Sequence, residues 1–261
     1  MLQATDFTSL RYEAGDGIAS ITMTRADKRN ALSLGMMREL IRAFTAAASH
    51  SATRAIVLRG EGPAFSAGHD LSELIARDLE AYREIFDTCV ELMQLIQSIP
   101  IPVIAEVDGI ATAAGCQLVA TCDLALASTK ARFATPGVKI GLFCTTPMVA
   151  LTRAIGPKRA MEMLLTGDFI DAPTALAWGL VNRVAEPANL RGEVLELARK
   201  LSVPSRRIVG LGKAAFYAQI GLEQPDAYIY AKEVMSQNAV TPDAQEGMTA
   251  FLQKRTPKWT P

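Results

Sequence analysis

The chain has 261 residues, 49% of them hydrophobic, and its 27 Lys and Arg residues balance 27 Asp and Glu residues. This length supports one substantial hydrophobic core, and a net charge of zero provides no strong field for nucleic acid or an anionic membrane. Four cysteines without a C-x-x-C pair, together with only two histidines, argue against a zinc site and favour reduced thiols.

The N-terminal segment indicates a soluble, cytoplasmic protein. It has neither a basic n-region nor an apolar h-region. No apolar stretch reaches the roughly 20 residues that a membrane-spanning helix needs. We therefore expect no membrane or nucleic-acid partner.

The first half of the chain alternates between strand and helix patterns. Ser33 is a good N-cap, Asp70 and Glu73 have capping-box spacing, and "IPIP" ends a helix. The patterns predict a hairpin over 9–25, a helix over 34–50, a strand over 54–60, a loop over 61–70, a helix over 78–98, a strand over 103–109, a helix over 111–120 and strands over 123–128 and 131–135. This alternation favours an α/β fold with mostly parallel strands.

After Thr145 the sequence predicts helices only. They are expected over 146–155, 157–166, 172–178, 187–202, 205–219 and 223–239, and a last helix begins with Thr241 as cap and Pro242 in its first position. We divide the chain into an α/β core (1–200) and a C-terminal helical region (201–261) that serves packing or oligomerisation.

Two segments rich in small residues stand at strand-to-helix corners: "FSAGHDL" (65–71) and "ATAAGCQL" (111–118). A helix N-terminus leaves free N–H donors and carries partial positive charge. Two such corners that converge would bind a carbonyl oxygen that gains negative charge. Close helix–strand packing explains the same small residues, so both interpretations stay open at this point.

Five separated segments together resemble the enoyl-CoA hydratase/isomerase (crotonase) family: "GPAFSAGHDLSEL", "PVIAEVDGIATAAGCQLVATCDLALAS", "ARFATPGVKIGL", "AMEMLLTGDFIDAPTALAWGLVNRV" and "GMTAFLQKRTPKW". Within that family, the segments "SAGHDL", "ATAAGCQL" and "FATPGV" most resemble the subgroup called the enoyl-CoA hydratase domain-containing protein 3 type. The resemblance implies a crotonase-like spiral of ββα turns and a helical C-terminal region that builds trimers or hexamers. It also implies coenzyme A thioesters as substrates and no tightly bound cofactor.

The resemblance implies that two backbone N–H groups bind the thioester oxygen, those of His69 and Ala114. Family members usually have glycine at the second position, so alanine is expected to restrict the backbone there. The residues implied in coenzyme A binding are Lys28, Arg29 and Ala31 in "DKRNAL", Ala67, Gly68, Asp70 and Leu71 at the first corner, and Phe251 and Lys254, which reach coenzyme A from a neighbouring helix or subunit. For the three basic residues, ordinary surface charge is the alternative.

Both carboxylates that the family uses to activate water and deliver a proton are missing. Gln117 and Gly137 stand at their positions. An amide holds water but cannot take its proton near neutral pH, and proton transfer typically contributes about 10²–10⁴-fold. Weak or altered hydratase activity is therefore expected, and isomerase activity is doubtful as well.

A few other residues are candidates for chemistry. Cys144, Thr145 and Thr146 match a second catalytic or specificity loop, although Cys144 is also interpretable as a small pocket-lining residue. Glu106 lies in an apolar strand, where a structural ion pair or a displaced base would explain it. The imidazole of His69 is either a titrating group in the site or a half-exposed loop side chain.

Three functions fit these residues. The first is a hydratase-like lyase that stabilises a thioester enolate. The second is a decarboxylase of malonyl- or methylmalonyl-type thioesters, which needs chiefly the oxyanion hole, although related decarboxylases place a tyrosine where Phe143 and Cys144 stand here. The third is a non-catalytic acyl-CoA-binding protein.

Overall fold

The computed structural model describes residues 7–260, which form ten β-strands and ten α-helices. The strands are β1 (Leu10–Gly15), β2 (Ile18–Met23), β3 (Ala55–Gly60), β4 (Ala64–Ser66), β5 (Val103–Val107), β6 (Ile110–Thr112), β7 (Leu124–Ser128), β8 (Arg132–Ala134), β9 (Ile170–Asp171) and β10 (Arg183–Ala185). The helices are α1 (Leu34–Ser49), α2 (Leu79–Ser98), α3 (Ala114–Thr121), α4 (Thr145–Ile155), α5 (Pro157–Thr166), α6 (Ala172–Trp178), α7 (Pro187–Ser202), α8 (Arg206–Gln219), α9 (Gln224–Ala239) and α10 (Pro242–Leu252).

The ten strands form two sheets, between which the chain runs in a spiral. The larger sheet has the order β1-β2-β3-β5-β7-β10, and the smaller has the order β4-β6-β8-β9. From β3 to β8 the chain enters the two sheets alternately, and α2 and α3 follow the first two strand pairs. The neighbouring strands from β2 to β7 in the larger sheet are parallel. The α/β prediction, with its spiral of ββα turns, is confirmed.

The larger sheet is covered on both faces. Along β3, Ala55 and Val57 contact the apolar side of α7, whereas Ile56 and Leu58 face the main core with α1 and α2. Side chains on a strand alternate between faces, so this short apolar run serves two hydrophobic layers. The larger sheet is therefore buried between two hydrophobic layers.

The shortest strands are where the sequence predictions were wrong. The expected loop 61–70 contains β4, the expected helix 111–120 begins only after β6, and β9 and β10 follow Thr145, where no strand was expected. Each of these strands has two or three residues. That is too short for the alternation of apolar and polar residues that identifies a strand in a sequence.

The capping pattern at Asp70 is only partly confirmed. Asp70 Oδ1 accepts from the N–H of Ser72 and starts a three-residue 3₁₀ helix, Leu71–Glu73, rather than a longer one. Glu73 does not complete a capping box, because its carboxylate accepts from the N–H of Leu34 at 2.7 Å. It thereby ties the first corner to the start of α1.

The predicted helices after Thr145 are confirmed, including the cap at Thr241 and Pro242 in the first position of α10. Helix α9 buries none of its side chains and exposes Tyr228, Ile229 and Met235. Helix α7 packs on the larger sheet and runs past residue 200. The division into an α/β core (1–200) and a C-terminal region (201–261) therefore stays a prediction. Residues 1–6 and 261 lie outside the described part. Within that part, no helix has the length and apolarity to cross a membrane.

Glu106 is a structural residue of the larger sheet. It is 5% exposed, and its Oε2 accepts from Arg191 at 2.8 Å while Oε1 lies 3.4 Å from Nε of Arg59. The second guanidinium nitrogen of Arg191 also donates to the Ser20 hydroxyl at 3.0 Å. Two arginines therefore hold this carboxylate, which favours the structural ion pair over a displaced catalytic base.

We expect Glu106→Ala to lower the free energy of unfolding by about 3 kcal/mol, because removing one partner of a buried ion pair leaves the others uncompensated. Chemical denaturation measures this value. Glu196→Ala is the matched control: it breaks an exposed pair with Lys200 on α7 and is expected to cost less than about 1 kcal/mol. Equal effects of the two replacements would contradict the assignment.

Candidate active site

Two corners of the chain meet at one edge of the smaller sheet. Strands β4 and β6 are parallel neighbours, so the segments that follow them leave the sheet on the same side. The Thr112 hydroxyl donates to the carbonyl of Ala67 at 3.1 Å, which links the two corners directly. The segments "FSAGHDL" and "ATAAGCQL" therefore lie together.

Gly68 brings the first corner against the start of α3. Its φ is +92°, and a Cβ built there would lie 2.8 Å from the Ala113 Cβ and 3.3 Å from the Ala114 nitrogen. A side chain would clash in this space, and L-residues rarely adopt that φ. Glycine thus permits the close approach of the two backbones.

The backbone of His69 is extended beside Leu32. The N–H of Leu32 donates to Gly68 O at 2.7 Å, and Asp70 N–H donates to Leu32 O at 3.2 Å. Successive N–H groups of an extended chain point to opposite sides, so the N–H of His69 points away from Leu32. No acceptor within residues 7–260 engages it.

Helix α3 presents its free N-terminus to the same region. The first N–H groups of a helix have no intrahelical acceptor, and Ala114 is the first helical residue. Ala113 before it has φ +50° and ψ −119°, a conformation that costs roughly 1–3 kcal/mol for a residue with a Cβ. The backbone restriction expected at Ala114 is thus located one residue earlier.

A cavity of about 400 Å³ opens beside both corners, within the usual size range of ligand sites. We call it the corner cavity. Its apolar lining side chains include Leu71, Leu74, Phe86, Ile140, Leu142 and Phe143. No Asp or Glu is among its lining residues, which all belong to the described part of the chain. Nor do residues 7–260 hold a group of three His, Cys, Asp or Glu side chains placed to bind a metal ion.

Several residues predicted from the sequence line this cavity. They are Ala67, His69, Leu71, Ala114, Gly137, Cys144, Thr145 and Thr146. They come from three separate segments of the chain. The cavity therefore assembles both backbone corners with the 136–147 loop.

Gly137 and Gln117 stand where the family has glutamates, and at neither position is there open space for a carboxylate facing the cavity. A Cβ on Gly137 would lie 2.0 Å from Leu142 O and 2.8 Å from Cys144 Sγ. Gln117 is 4% exposed, does not line the corner cavity, and accepts at Oε1 from the Cys89 thiol at 4.0 Å. The amide oxygen of Gln117 is therefore directed to Cys89, and a catalytic role of this residue stays a prediction.

The two ring nitrogens of His69 are buried. Both are inaccessible, and no hydrogen bond of standard geometry reaches them from the described residues, although the Leu32 backbone lies close enough to act on the ring. The ring packs edge-on against Phe86, with 5.5 Å between ring centroids. Burial lowers the pKa of His69, and the Leu32 backbone opposes this only in part. An unpaired buried polar group costs about 1–3 kcal/mol, so the ring gains from any partner that a ligand supplies.

The other titratable side chains of the cavity are less suited to proton transfer. Lys139 Nζ binds Asp168 Oδ1 at 2.6 Å on the protein surface. Burial raises the pKa of the Cys144 thiol, although a backbone contact with Gly137 acts against this. A buried thiol is a poor nucleophile, so the structure favours Cys144 as a pocket-lining residue over a nucleophile.

The residues expected to bind coenzyme A are spread over the surface. Backbone pairing of Ala67 N–H with Arg29 O at 3.0 Å brings Lys28, Arg29 and Ala31 beside the first corner. Gly68 and Asp70 lie behind the cavity wall, where Asp70 Oδ2 is 3.5 Å from Arg25. Phe251 is 83% exposed and Lys254 follows the end of α10; neither lines the cavity of its own chain, so their role stays a prediction.

Sequence reasoning missed much of the apolar wall. Leu74 follows the 3₁₀ helix Leu71–Glu73, and Phe86 lies on α2. Ile140 and Leu142 belong to the loop after Gly137. The exposed fractions of Ile140 and Leu142 are 61% and 44%. Apolar side chains left this accessible at a cavity mouth are a signal of ligand binding, but the sequence gives no measure of exposure.

Comparison with known proteins agrees with this geometry. The profile of the enoyl-CoA hydratase/isomerase family matches residues 13–261. The mitochondrial enoyl-CoA hydratase domain-containing protein 3 of Xenopus laevis is 49% identical over 99% of this chain and 88% of its own length. The crystal structure of its human counterpart is 47% identical, covers 97% of this chain and all of that one (100%), and has a TM-score of 0.94. That of an enoyl-CoA hydratase from Mycobacterium smegmatis is 46% identical, with 97% and 99% coverage and a TM-score of 0.93.

These comparisons contradict the predicted cytoplasmic location. The similar proteins of Xenopus laevis, Mus musculus and Homo sapiens are all named mitochondrial. The prediction rested on reduced thiols and on the lack of an apolar leader. Mitochondrial targeting segments are amphipathic rather than apolar, so the absence of an apolar run does not favour the cytoplasm.

Proposed function

The chain belongs to the enoyl-CoA hydratase/isomerase family, and on this basis we propose that it is an acyl-CoA enzyme that stabilises a thioester enolate at the corner cavity. The N–H groups of His69 and Ala114 bind the thioester oxygen. The close approach of the two corners supports this most strongly: a Cβ added at Gly68 would lie only 3.3 Å from the Ala114 nitrogen. It sets the two backbones side by side at the cavity.

The chemistry follows from where negative charge develops. When an α-proton leaves, or when water adds at Cβ, the thioester oxygen becomes an enolate oxygen. Fixed N–H donors and the positive end of α3 then interact more strongly with it than with the neutral carbonyl. The apolar wall strengthens this effect, because electrostatic interactions grow as the local dielectric constant falls.

Hydratase activity is weak in this proposal. Gln117 supplies no acid–base group, and Gly137 supplies no side chain at all. The loss of proton transfer removes about 10²–10⁴-fold of rate. Coenzyme A lies along Lys28, Arg29 and Ala31, and Phe251 and Lys254 reach it from a neighbouring chain of a trimer or hexamer.

The charges around the cavity disfavour the decarboxylase alternative. A malonyl-type substrate carries a carboxylate, and burying it without a cation is unfavourable. The cation among the lining residues, Lys139, is bound to Asp168. His69 is biased towards its neutral form by burial. A neutral acyl group therefore fits the cavity better.

A panel of acyl-CoA thioesters, incubated with the protein and read by mass spectrometry, tests the proposal. The expected result is slow addition of one water to crotonyl-CoA, with no loss of CO₂ from malonyl-CoA or methylmalonyl-CoA. Release of CO₂ would support the decarboxylase instead. Tight binding with no change in any thioester would support a non-catalytic acyl-CoA-binding protein.

A further inference from the structure

The first corner of the active site has little regular structure of its own. Strand β4 ends at Ser66, and a 3₁₀ helix of three residues begins at Leu71. Gly68 lies between them with φ +92°, in a region that few residues other than glycine adopt. A short segment of this kind is held in one conformation by its contacts with neighbouring segments. The direction of its N–H groups therefore depends on those contacts.

The segment before α1 holds the backbone of this corner on both sides of His69. The N–H of Leu32 donates to Gly68 O at 2.7 Å, and the N–H of Asp70 donates to Leu32 O at 3.2 Å. The N–H of His69 points the other way, because successive N–H groups of an extended chain alternate in direction. Its position consequently follows that of Leu32.

Two charged side chains strengthen the same connection. Nη1 of Arg25 donates to the Ser33 hydroxyl at 2.9 Å, and its Nη2 lies 3.5 Å from Asp70 Oδ2. Oε2 of Glu73 accepts from the N–H of Leu34 at 2.7 Å. Hydrogen bonds to an ionised group are stronger than those between neutral groups. The corner is thus joined to the start of α1 on both sides of the 3₁₀ turn.

Neither charged side chain is placed to contact a substrate. Arg25 and Glu73 are half-buried, and neither lines the corner cavity. A carboxylate repels the phosphates of coenzyme A, so Glu73 is unsuited to bind them. Helix α1 also has a side-chain cap without Glu73, because the Ser33 hydroxyl accepts from the N–H of Met36 at 3.2 Å. What Glu73 adds is the connection between the corner and the helix.

We propose that Arg25 and Glu73 are positioning residues, which keep the His69 N–H directed into the corner cavity. The inference rests on the proposed function. It gives neither residue a contact with the substrate or a part in proton transfer. A donor stabilises developing charge fully only when it is held within about 0.5 Å and 10–20° of its productive geometry. Loss of either side chain lets the corner depart from that geometry.

Kinetics and the infrared spectrum of a bound substrate test this role. We expect Glu73→Ala to lower kcat about 10-fold or more, with KM within a few-fold, because a small misplacement of a reacting group has large effects on rate. The shift of the thioester carbonyl frequency of bound butyryl-CoA is expected to fall with kcat. Glu73→Gln keeps an oxygen that can accept from the Leu34 N–H and is expected to restore most of both values. Arg25→Met is expected to resemble Glu73→Ala.

Glu39→Ala is the matched control for loss of stability. Glu39 lies on α1, is 8% exposed, and its carboxylate accepts from the backbone N–H groups of Thr8 at 3.0 Å and Ser9 at 2.9 Å. It therefore connects backbone segments as Glu73 does, but at a different place. Its replacement is expected to lower the melting temperature and to leave kcat and the carbonyl frequency unchanged.

The outcomes separate this inference from the proposed function. Wild-type kcat and carbonyl shift in folded Glu73→Ala and Arg25→Met proteins would overturn the positioning role. So would an equal loss of kcat in Glu39→Ala, or a Glu73→Gln protein as slow as Glu73→Ala. A wild-type protein that binds butyryl-CoA without any carbonyl shift would instead overturn the proposed function. If Glu73→Ala does not fold, Arg25→Met provides the same comparison.

Discussion

Replacing Ala114 by proline is expected to lower thioester turnover by about 10²–10³-fold, the usual effect of removing one oxyanion donor. Proline is tolerated in the first position of a helix, where its missing N–H has no intrahelical acceptor. Ala114 occupies that position in α3. The replacement therefore removes a donor from the corner cavity without removing a helical hydrogen bond.

Steady-state kinetics on the best thioester of the panel measures the loss, and thermal unfolding checks the fold. Gln224→Pro is the matched control, because Gln224 is the first residue of α9 and is exposed. It is expected to keep wild-type turnover. A folded Ala114→Pro protein with wild-type turnover would remove Ala114 from the site.

Replacing Gly137 by glutamate is expected to lower the free energy of unfolding by about 3 kcal/mol, at the upper end of overpacking effects. The new Cβ would meet backbone, Leu142 O at 2.0 Å, rather than the end of a flexible side chain. The 137–144 loop must move, so the variant is not expected to gain hydratase activity, either alone or with Gln117→Glu.

Chemical denaturation measures the stability, and crotonyl-CoA absorbance measures hydration. Gly192→Glu is the control, because Gly192 lies on the exposed side of α7 with open space at its Cβ position; it is expected not to destabilise the protein. A stable Gly137→Glu variant with hydratase activity would show that the loop accepts a carboxylate and that only the side chain was missing.

The sequence predicted the long elements because their patterns are long. Helices α1 and α2 carry apolar stripes and the side-chain caps Ser33 and Asp78, and β3 is a clear apolar run. The three-residue strands β4 and β6 escaped prediction because they are defined by pairing with each other and not by their own composition. Tertiary hydrogen bonds, absent from the sequence, decide such segments.

The candidate site was predictable to a similar degree. The corners around His69 and Ala114 were identified by their small residues and by resemblance to a family. The orientation of Gln117 towards Cys89 and the closure of the Gly137 loop were not, because both depend on distances between segments far apart in the chain. The burial of the His69 ring nitrogens likewise emerges only when their surroundings are known.

The central claim is that the N–H groups of His69 and Ala114 polarise a bound thioester carbonyl. Isotope-edited infrared spectroscopy of butyryl-CoA labelled at that carbonyl measures this directly and needs no proton transfer. The account predicts a lower carbonyl stretching frequency in the complex than in solution, with the shift reduced in Ala114→Pro. An unchanged frequency in a saturated complex would contradict it.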